Sequence, residues 1–550
     1  IMSTNKTFRS IFKWGDPKIE EKLNATYQKE LRSIFGLSDE DISKPFLPGN
    51  NPISTAPKSK LNVEMASQLE EIVGKDNIDT SDYGRAAQAS GKFYTEILSL
   101  REGKMESVPD VVLSPQTEAE VIKIVEFCHA HKIAITPAGA KSSVTKGIGN
   151  PLGGVSLDLT KHLNKVIELD ETSQIVRVQP GIYGPAFEEW LNKRGYTCGH
   201  FPQSFEYSTV GGWVAAKGAG QCSSGYGKIE DMVLGLKVVT PTGVIDEEPY
   251  PAKAQGWDLS PVFIGSEGTL GVITEVRMKV RKYRPENRRM ASFLFKDFQS
   301  AVEAMRQISQ NESGLPHLFR ISDPEETEIA FRTKGFNGTN ADKFLKWRGY
   351  QPEKRCLMFC ASEGDADYTR LVINKVKKIA KQNGAFSLGA KPTRSWLEQR
   401  FHSAYLREPM MDLGLMTDTI ETATSWENLP KLWSGARKYI KSRPNTLCMV
   451  HISHVYENGA NLYFIFVSPI KKEEPMEDYK GFHKGLVDSI LEHGGSLSHH
   501  HGVGRALAPW MEKKVGTEGM DLMRAIKKHL DPNNIMNPGN TLGLDLDERS

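Results

Sequence analysis

No stretch of this chain approaches the run of about eighteen apolar residues that a membrane-spanning helix needs, so no spanning helix is expected. Nor is there an excess of one charge. Lys plus Arg number 70 against 68 Asp plus Glu, which argues against nucleic acid as the main partner, because such proteins carry a basic surplus. The six cysteines (Cys128, Cys198, Cys222, Cys356, Cys360, Cys448) form no CxxC pair and no disulfide-dense pattern. A reducing compartment is therefore the default. Internal repeats and low-complexity tracts are also missing. At the ends, Ile1–Thr4 reads as an expression remnant without a signal-peptide core. Asp547–Ser550 is not a peroxisomal Ser-Lys-Leu address.

The 550 residues suffice for two or three domains, each with its own core. Residues 1–107 are charged and helix-like. Within them Ile19, Leu23, Tyr27, Leu31 and Phe35 recur at near-helical spacing, an amphipathic stripe that suits a membrane surface or, more commonly, docking on the protein's own body. From Val108 short strands (Val111–Leu113, 133–136, 154–159, Ile175–Val178) alternate with a helix over Glu118–His131, up to about Tyr283. A basic hinge at Arg284–Arg289 marks a boundary. Residues 284–475 mix strands and helices, with Cys356 and Cys360 as core thiols on one strand. Residues 476–550 read as mostly helical.

The chemistry concentrates in Ser498-His499-His500-His501-Gly502-Val503-Gly504. Three successive histidines cannot share one face of a helix or strand, so core packing does not explain them. A terminal tag would lie at an end, and this run is embedded. A tight turn where imidazoles converge on a ligand is the reading that remains, and imidazole titrates near neutrality.

Three glycine-rich loops accompany it. Pro137-Ala138-Gly139-Ala140-Lys141-Ser142-Ser143 follows an apolar strand, and its small residues let backbone N–H groups approach a pyrophosphate. Pro202 to Gly220 carries Ser204, Ser208, Thr209, Gly211 and Gly212 ahead of Trp213, as if backbone lay flat against a planar ligand. Glu267-Gly268-Thr269-Leu270-Gly271-Val272-Ile273 is a turn feeding a strand. Each is common alone; the order of the three is specific.

In that order they resemble the FAD-binding domain of the vanillyl-alcohol oxidase (PCMH-type) flavoprotein family. The resemblance implies an α+β protein: a two-subdomain FAD-binding domain at 108–283, an α+β substrate cap at 284–475, and helical segments at 1–107 and 476–550. It implies cofactor contacts from Pro137, Ala138, Gly139, Ala140, Lys141, Ser142, Ser143, Pro202, Ser204, Ser208, Thr209, Gly211, Gly212, Glu267, Gly268, Leu270, Gly271, Val272 and Ile273. Neither Pro137–Ser143 nor Thr209–Gly220 supplies a histidine, so FAD held noncovalently is expected.

Within the family the likeness is to the ether-lipid synthases. It rests on Phe12–Gly15, Leu100–Gly103, Glu206–Val214, Asp531–Ile535 and above all Gly494–Gly504. This implies a redox-neutral exchange of the acyl group of acyl-dihydroxyacetone phosphate for a long-chain fatty alcohol, and a homodimer. Tyr463 matches the acid/base tyrosine, with His499, His500 and His501 beside it. Arg407 matches an arginine that holds substrate phosphate, a task for which a guanidinium fork suits better than lysine. Arg320 matches a further functional arginine, though a structural salt bridge explains it equally well. A eukaryotic source would imply a peroxisome, a bacterial one the cytoplasm or a membrane face.

Lys141 departs from that pattern, standing where the synthases have glycine. Asn537–Asn540, His451, His454 and Glu457–Gly459 instead resemble the FAD-dependent D-2-hydroxyacid dehydrogenases. That rival needs a histidine where Tyr463 stands and a glutamate where His500 stands. A metal site from His454 and His500 would be incomplete, and no metal is expected. A third class, a non-catalytic flavin-binding scaffold, sits poorly with the convergence of Tyr463, Arg407 and the histidines.

Overall fold

The computed structural model describes residues 6–16, 19 and 22–542, so Ile1–Thr4 and Asp547–Ser550 lie outside the described residues. Among the described residues no helix is long and apolar enough to cross a membrane.

The first sheet is small and buried. Its order is Ile78–Asp79, Val111–Leu113, Val155–Asp158, Ile135–Ala138, and the last three strands run parallel. The helix Glu118–His131 covers it. Thr117 caps that helix by accepting the Glu120 N–H, and acidic residues open it while histidines close it; both ends suit the helix dipole. Val121, Ile124, Val125 and Cys128, spaced by three or four, turn one face into the core. The second sheet has five antiparallel strands, ordered Val166–Asp170, Ile175–Val178, Val272–Lys279, Val233–Thr240, Gly243–Asp246.

The third sheet is eight-stranded and antiparallel, running Phe386–Gly389, Arg289–Phe295, Cys356–Ser362, Leu318–Ser322, Leu447–Ile452, Gly459–Pro469, Leu415–Ser425, with Val455–Tyr456 paired at its side. Its two faces do different work. In Gly459–Pro469, Leu462, Phe464 and Phe466 enter the main core while Tyr463, Ile465 and Val467 line a cavity. Cys356, Met358 and Cys360 enter the core while Leu357 and Phe359 face that same cavity. This is the period-two alternation of a strand. All six cysteines are buried and unpaired.

The N-terminal segment packs onto this sheet's side of the molecule. Phe8, Phe12, Tyr94 and Ile97 share the core of the third sheet, and Arg9 and Arg101 both pair with Asp412. The amphipathic stripe forms a shorter helix, Ala25–Phe35, capped by Asn24 and ended by Gly36 at φ +66°. Leu23, Leu31 and Phe35 bury against Leu413, Leu415 and Val467. The stripe therefore docks on the body, and its apolar face is not free for a membrane.

Candidate active site

A cavity of about 1430 Å³ lies between the glycine-rich loops and the third sheet. Its loop wall includes Pro137–Ser143, Pro202, Ser204, Ser208, Thr209, Gly211, Gly212, Glu267, Gly268, Gly271 and Ile273. Gly139 is needed for close packing here, because a Cβ would collide with the Thr209 hydroxyl. Thr209 in turn accepts the Gly212 N–H and caps the short helix Val210–Ala215.

Two expected contacts are not at this wall. Leu270 and Val272 point into apolar cores, since alternate residues of an extended chain face opposite ways. Glu267 borders the cavity, but its carboxylate accepts Val503 N–H (3.1 Å), Gly504 N–H (3.0 Å) and the Thr541 hydroxyl (2.6 Å). It fastens the C-terminal segment to the loop wall.

The histidine run is arranged by a residue that sequence reading missed. Glu421, buried on strand Leu415–Ser425, accepts from Ser498 Oγ (2.6 Å) and from the backbone N–H of His499 (2.7 Å), His500 (3.1 Å) and His501 (3.0 Å). Burial would raise this carboxyl, but His501, His499 and the N–H donors outweigh it and hold it low. It shares a threonine-rich strand, LMTDTIETATS, with a second acid, Asp418, and nothing in that local pattern marks it out. His500 and His501 line the cavity; His499 does not. It sits behind them, Nε2 on the Tyr456 hydroxyl at 2.6 Å and Nδ1 on His500 Nδ1 at 2.9 Å. Burial pushes all three imidazoles below the usual histidine range, so they are neutral donors and acceptors at neutral pH.

Tyr463 is directly adjacent. Its ring stacks on His451 (centroids 4.7 Å) and meets the edge of His501 (5.5 Å), and its hydroxyl donates to Thr419 Oγ1 at 3.1 Å. Burial pushes its phenol up to about 12. Arg407 opens the helix Arg407–Asp412 at the cavity wall; its Nη1 donates to Lys92 O at 2.9 Å and its Nε to Glu408 at 3.0 Å. Arg320 also borders the cavity, yet its guanidinium is engaged by Glu326 and by His451 Nδ1 at 3.0 Å. Burial opposes ionisation of Glu326, but Arg320 and His451 hold it at about 2. Arg320 thus forms a buried ion pair and lines the cavity as well.

His454, His499 and His500 bring ring nitrogens within 4.8 Å of one another. His454 already contacts Ser453 Oγ and Gly220 O, both at 3.0 Å, so its two nitrogens are occupied without an ion.

The wall also has features that fit a planar, phosphate-bearing cofactor. His200 is fully buried, lines the cavity, and neither ring nitrogen has a partner among the described residues. Burial, with His454 and Lys228 nearby, pushes it down to about 3. Lys141 sits on the loop at φ +60°, facing the cavity, with burial lowering its ammonium pKa and Asp158 opposing. A buried imidazole without partners and a lysine in a strained backbone region both call for a ligand. His200 was overlooked because it precedes Pro202 by two residues, outside the motif.

Residues 109–247 match a family described as FAD binding domain, and residues 284–541 match FAD linked oxidases, C-terminal domain. An alkyldihydroxyacetonephosphate synthase of Dictyostelium discoideum is 35% identical over 492 residues, covering 86% of this chain and 80% of the relative. This chain belongs to the alkyldihydroxyacetonephosphate synthase family. A solved structure of an alkyldihydroxyacetonephosphate synthase superposes with a TM-score of 0.80 at 30% identity, covering 95% of this chain and 92% of that one. The fold of this family member is also that of p-cresol methylhydroxylase, at TM-score 0.68 and 16% identity, over 90% of this chain and 100% of the other. It is therefore an FAD flavoprotein of the α+β, PCMH-type class.

Proposed function

We propose that this protein catalyses the redox-neutral exchange of the fatty acyl group of acyl-dihydroxyacetone phosphate for a long-chain fatty alcohol, giving the alkyl ether. The observation that carries the reading is that Tyr463, His500, His501 and Arg407 line the same cavity as the FAD loops, together with apolar residues such as Leu447, Met449 and Ile465. The residues of the loop wall, including Lys141 and His200, would hold FAD noncovalently. Bound FAD would supply an electrophilic ring nitrogen.

The chain's own residues supply the rest. Arg407 presents a guanidinium to the substrate phosphate. A phenol whose pKa is about 12 stays protonated at neutral pH, so Tyr463 Oη holds a proton to give or relay and Thr419 orients it. One imidazole of the neutral pair His500 and His501 accepts the alcohol proton as its oxygen forms the new C–O bond. The old C–O bond breaks and the fatty acid leaves as carboxylate. No electrons leave the system.

The test is transfer of labelled hexadecanol into palmitoyl-dihydroxyacetone phosphate, without oxygen or electron acceptor. Incorporation with fatty-acid release, lost in Tyr463→Phe with FAD still bound, supports the reading. No incorporation, together with anaerobic bleaching by D-2-hydroxyacids, would replace it by the dehydrogenase. The family likeness also supports a homodimer, which light scattering measures directly.

A further inference from the structure

The exchange proposed above leaves a proton behind. Ester and alcohol enter, ether and carboxylate depart, and at neutral pH neither product carries the hydrogen that the alcohol brought. One imidazole of the cavity pair receives it, and that ring has to be neutral again for the next turnover. The wall around Leu447, Met449 and Ile465 is apolar and offers no group that passes a proton on. The way out runs behind the histidines.

A row of ring nitrogens lies there. His500 lines the cavity, and its Nδ1 is 2.9 Å from Nδ1 of His499. On the far side of that second ring, Nε2 is 2.6 Å from the Tyr456 hydroxyl. Two imidazole nitrogens at hydrogen-bond distance need one hydrogen between them. Glu421 decides which ring carries it. Its Oε2 lies 3.4 Å from His500 Nδ1, and a carboxylate only accepts, so the hydrogen belongs to His500. His499 therefore accepts at Nδ1. Burial keeps both rings neutral, so His499 has its hydrogen on Nε2 and donates it to Tyr456. The phenol then turns its own hydrogen away from the histidines. Every donor in the row points outward.

The row ends near solvent. Tyr456 is partly exposed. Burial raises its phenol pKa, and the carboxylates of Glu230 and Asp231 raise it further, so both acids act on it. Asp231 is exposed. The Glu230 side chain is 28% exposed and pairs through Oε1 with Lys228 at 3.1 Å, while its Oε2 has no hydrogen-bond partner among the described residues. Lys228 also donates to His499 O at 2.8 Å, which ties this end to the histidine turn.

We propose that His499 and Tyr456 form a proton exit, carrying the hydrogen of the alcohol from His500 in the cavity to solvent at Glu230. The inference rests on the exchange reading. As the alcohol O–H bond breaks, His500 takes the proton at Nε2. Its Nδ1–H passes to His499 Nδ1, the Nε2–H of His499 passes to Tyr456 Oη, and the phenol hydrogen passes to water beside the two carboxylates. Each group gives up one hydrogen as it gains one, so no ring keeps a charge and no electrons move. Glu421, beside the first link, offsets the positive charge in transit. The row is reset when the products leave and water enters the cavity.

The test compares FAD-loaded Tyr456→Phe, His499→Gln and the double variant with wild type in the exchange assay. Tyr456→Phe keeps the ring and removes the hydroxyl. His499→Gln keeps a side chain that bonds to Tyr456 but does not pass a hydrogen through. Each should lower kcat about tenfold or more, with KM for the alcohol and FAD content unchanged. Each should also raise the solvent deuterium isotope effect on kcat, because proton transfer becomes the slow step. The double variant should be no slower than the slower single one, since both changes interrupt one path. Wild-type kcat and isotope effect in either single variant overturn the proposal. So do losses that multiply in the double variant, or a defect confined to KM or FAD content with the isotope effect unchanged, which marks a packing role. If Tyr456→Phe does not hold FAD, kcat and isotope effect of His499→Gln decide alone. A wild type that exchanges nothing removes the exchange reading and the relay with it; full exchange in the wild type and both single variants removes the relay alone.

Discussion

Glu421 Oε1 lies 3.1 Å from the backbone nitrogen of His500, and its Oε2 lies 3.4 Å from the same residue's Nδ1. With the N–H groups of His499 and His501 also on this carboxylate, one buried acid fixes the geometry of the whole run. The loop is therefore held by a strand of the third sheet.

Glu421→Gln leaves an amide NH₂ where an N–H acceptor is required. We expect a loss of about 2–3 kcal/mol in urea unfolding, at least tenfold slower exchange, and FAD retained, because the carboxylate of Glu421 bonds only to the histidine turn and not to the cofactor loops. The glutamate's folded pKa is depressed, so its contribution is present above its unfolded value and is lost as pH falls. The variant should accordingly differ most from wild type near neutrality and least in acid.

Lys141 occupies a left-handed position, φ +60°, that glycine fills without strain. Lys141→Gly should stabilise the apo-protein by about 1 kcal/mol and weaken FAD binding about tenfold through loss of a cation. Calorimetry and fluorescence titration measure the two effects separately. Unchanged FAD affinity would show that the lysine merely fills the loop.

The two arginines should separate by assay. Arg320→Met leaves the buried Glu326 without its cation, with only His451 and Ser322 beside it, and about 3–5 kcal/mol of stability should go with it. Arg407→Lys keeps the charge but not the fork. It should leave stability near wild type while raising KM for the phosphorylated substrate about tenfold. A reversed pattern would exchange their roles.

His200 has its folded pKa pushed down to about 3, whereas an unfolded histidine titrates near 6.5. Between those values the unfolded chain binds a proton that the buried ring refuses, so stability falls as pH drops through that window. Wild type minus His200→Asn in unfolding free energy should therefore decline below about pH 6.5. A flat difference from pH 7 to pH 4 would mean that the ring is solvated.

Loops, motifs and strands were legible because they depend on local rules. Glycines mark close approach, period-two alternation marks a two-faced strand, and three histidines in a row resist any regular packing. The helix Glu118–His131 and the strands Val111–Leu113 and Ile175–Val178 form where the pattern placed them. What alternation could not do was choose a side. Leu270 and Val272 belong to the third glycine-rich loop yet face apolar cores, and packing against neighbouring elements decides this.

The sequence by itself carried the three glycine-rich loops and the histidine run, since each is written in contiguous residues, whereas Tyr463 and Arg407 stood out only through the family resemblance. Only the tertiary structure decided that Glu421 holds the turn, that His499 stands behind rather than in the cavity, and that Arg320 pairs with Glu326 and His451. Glu421 and His501 are 80 positions apart, and Arg320 and His451 are 131 apart. Burial and ion pairing are properties of a neighbourhood that a linear chain does not contain until it has folded.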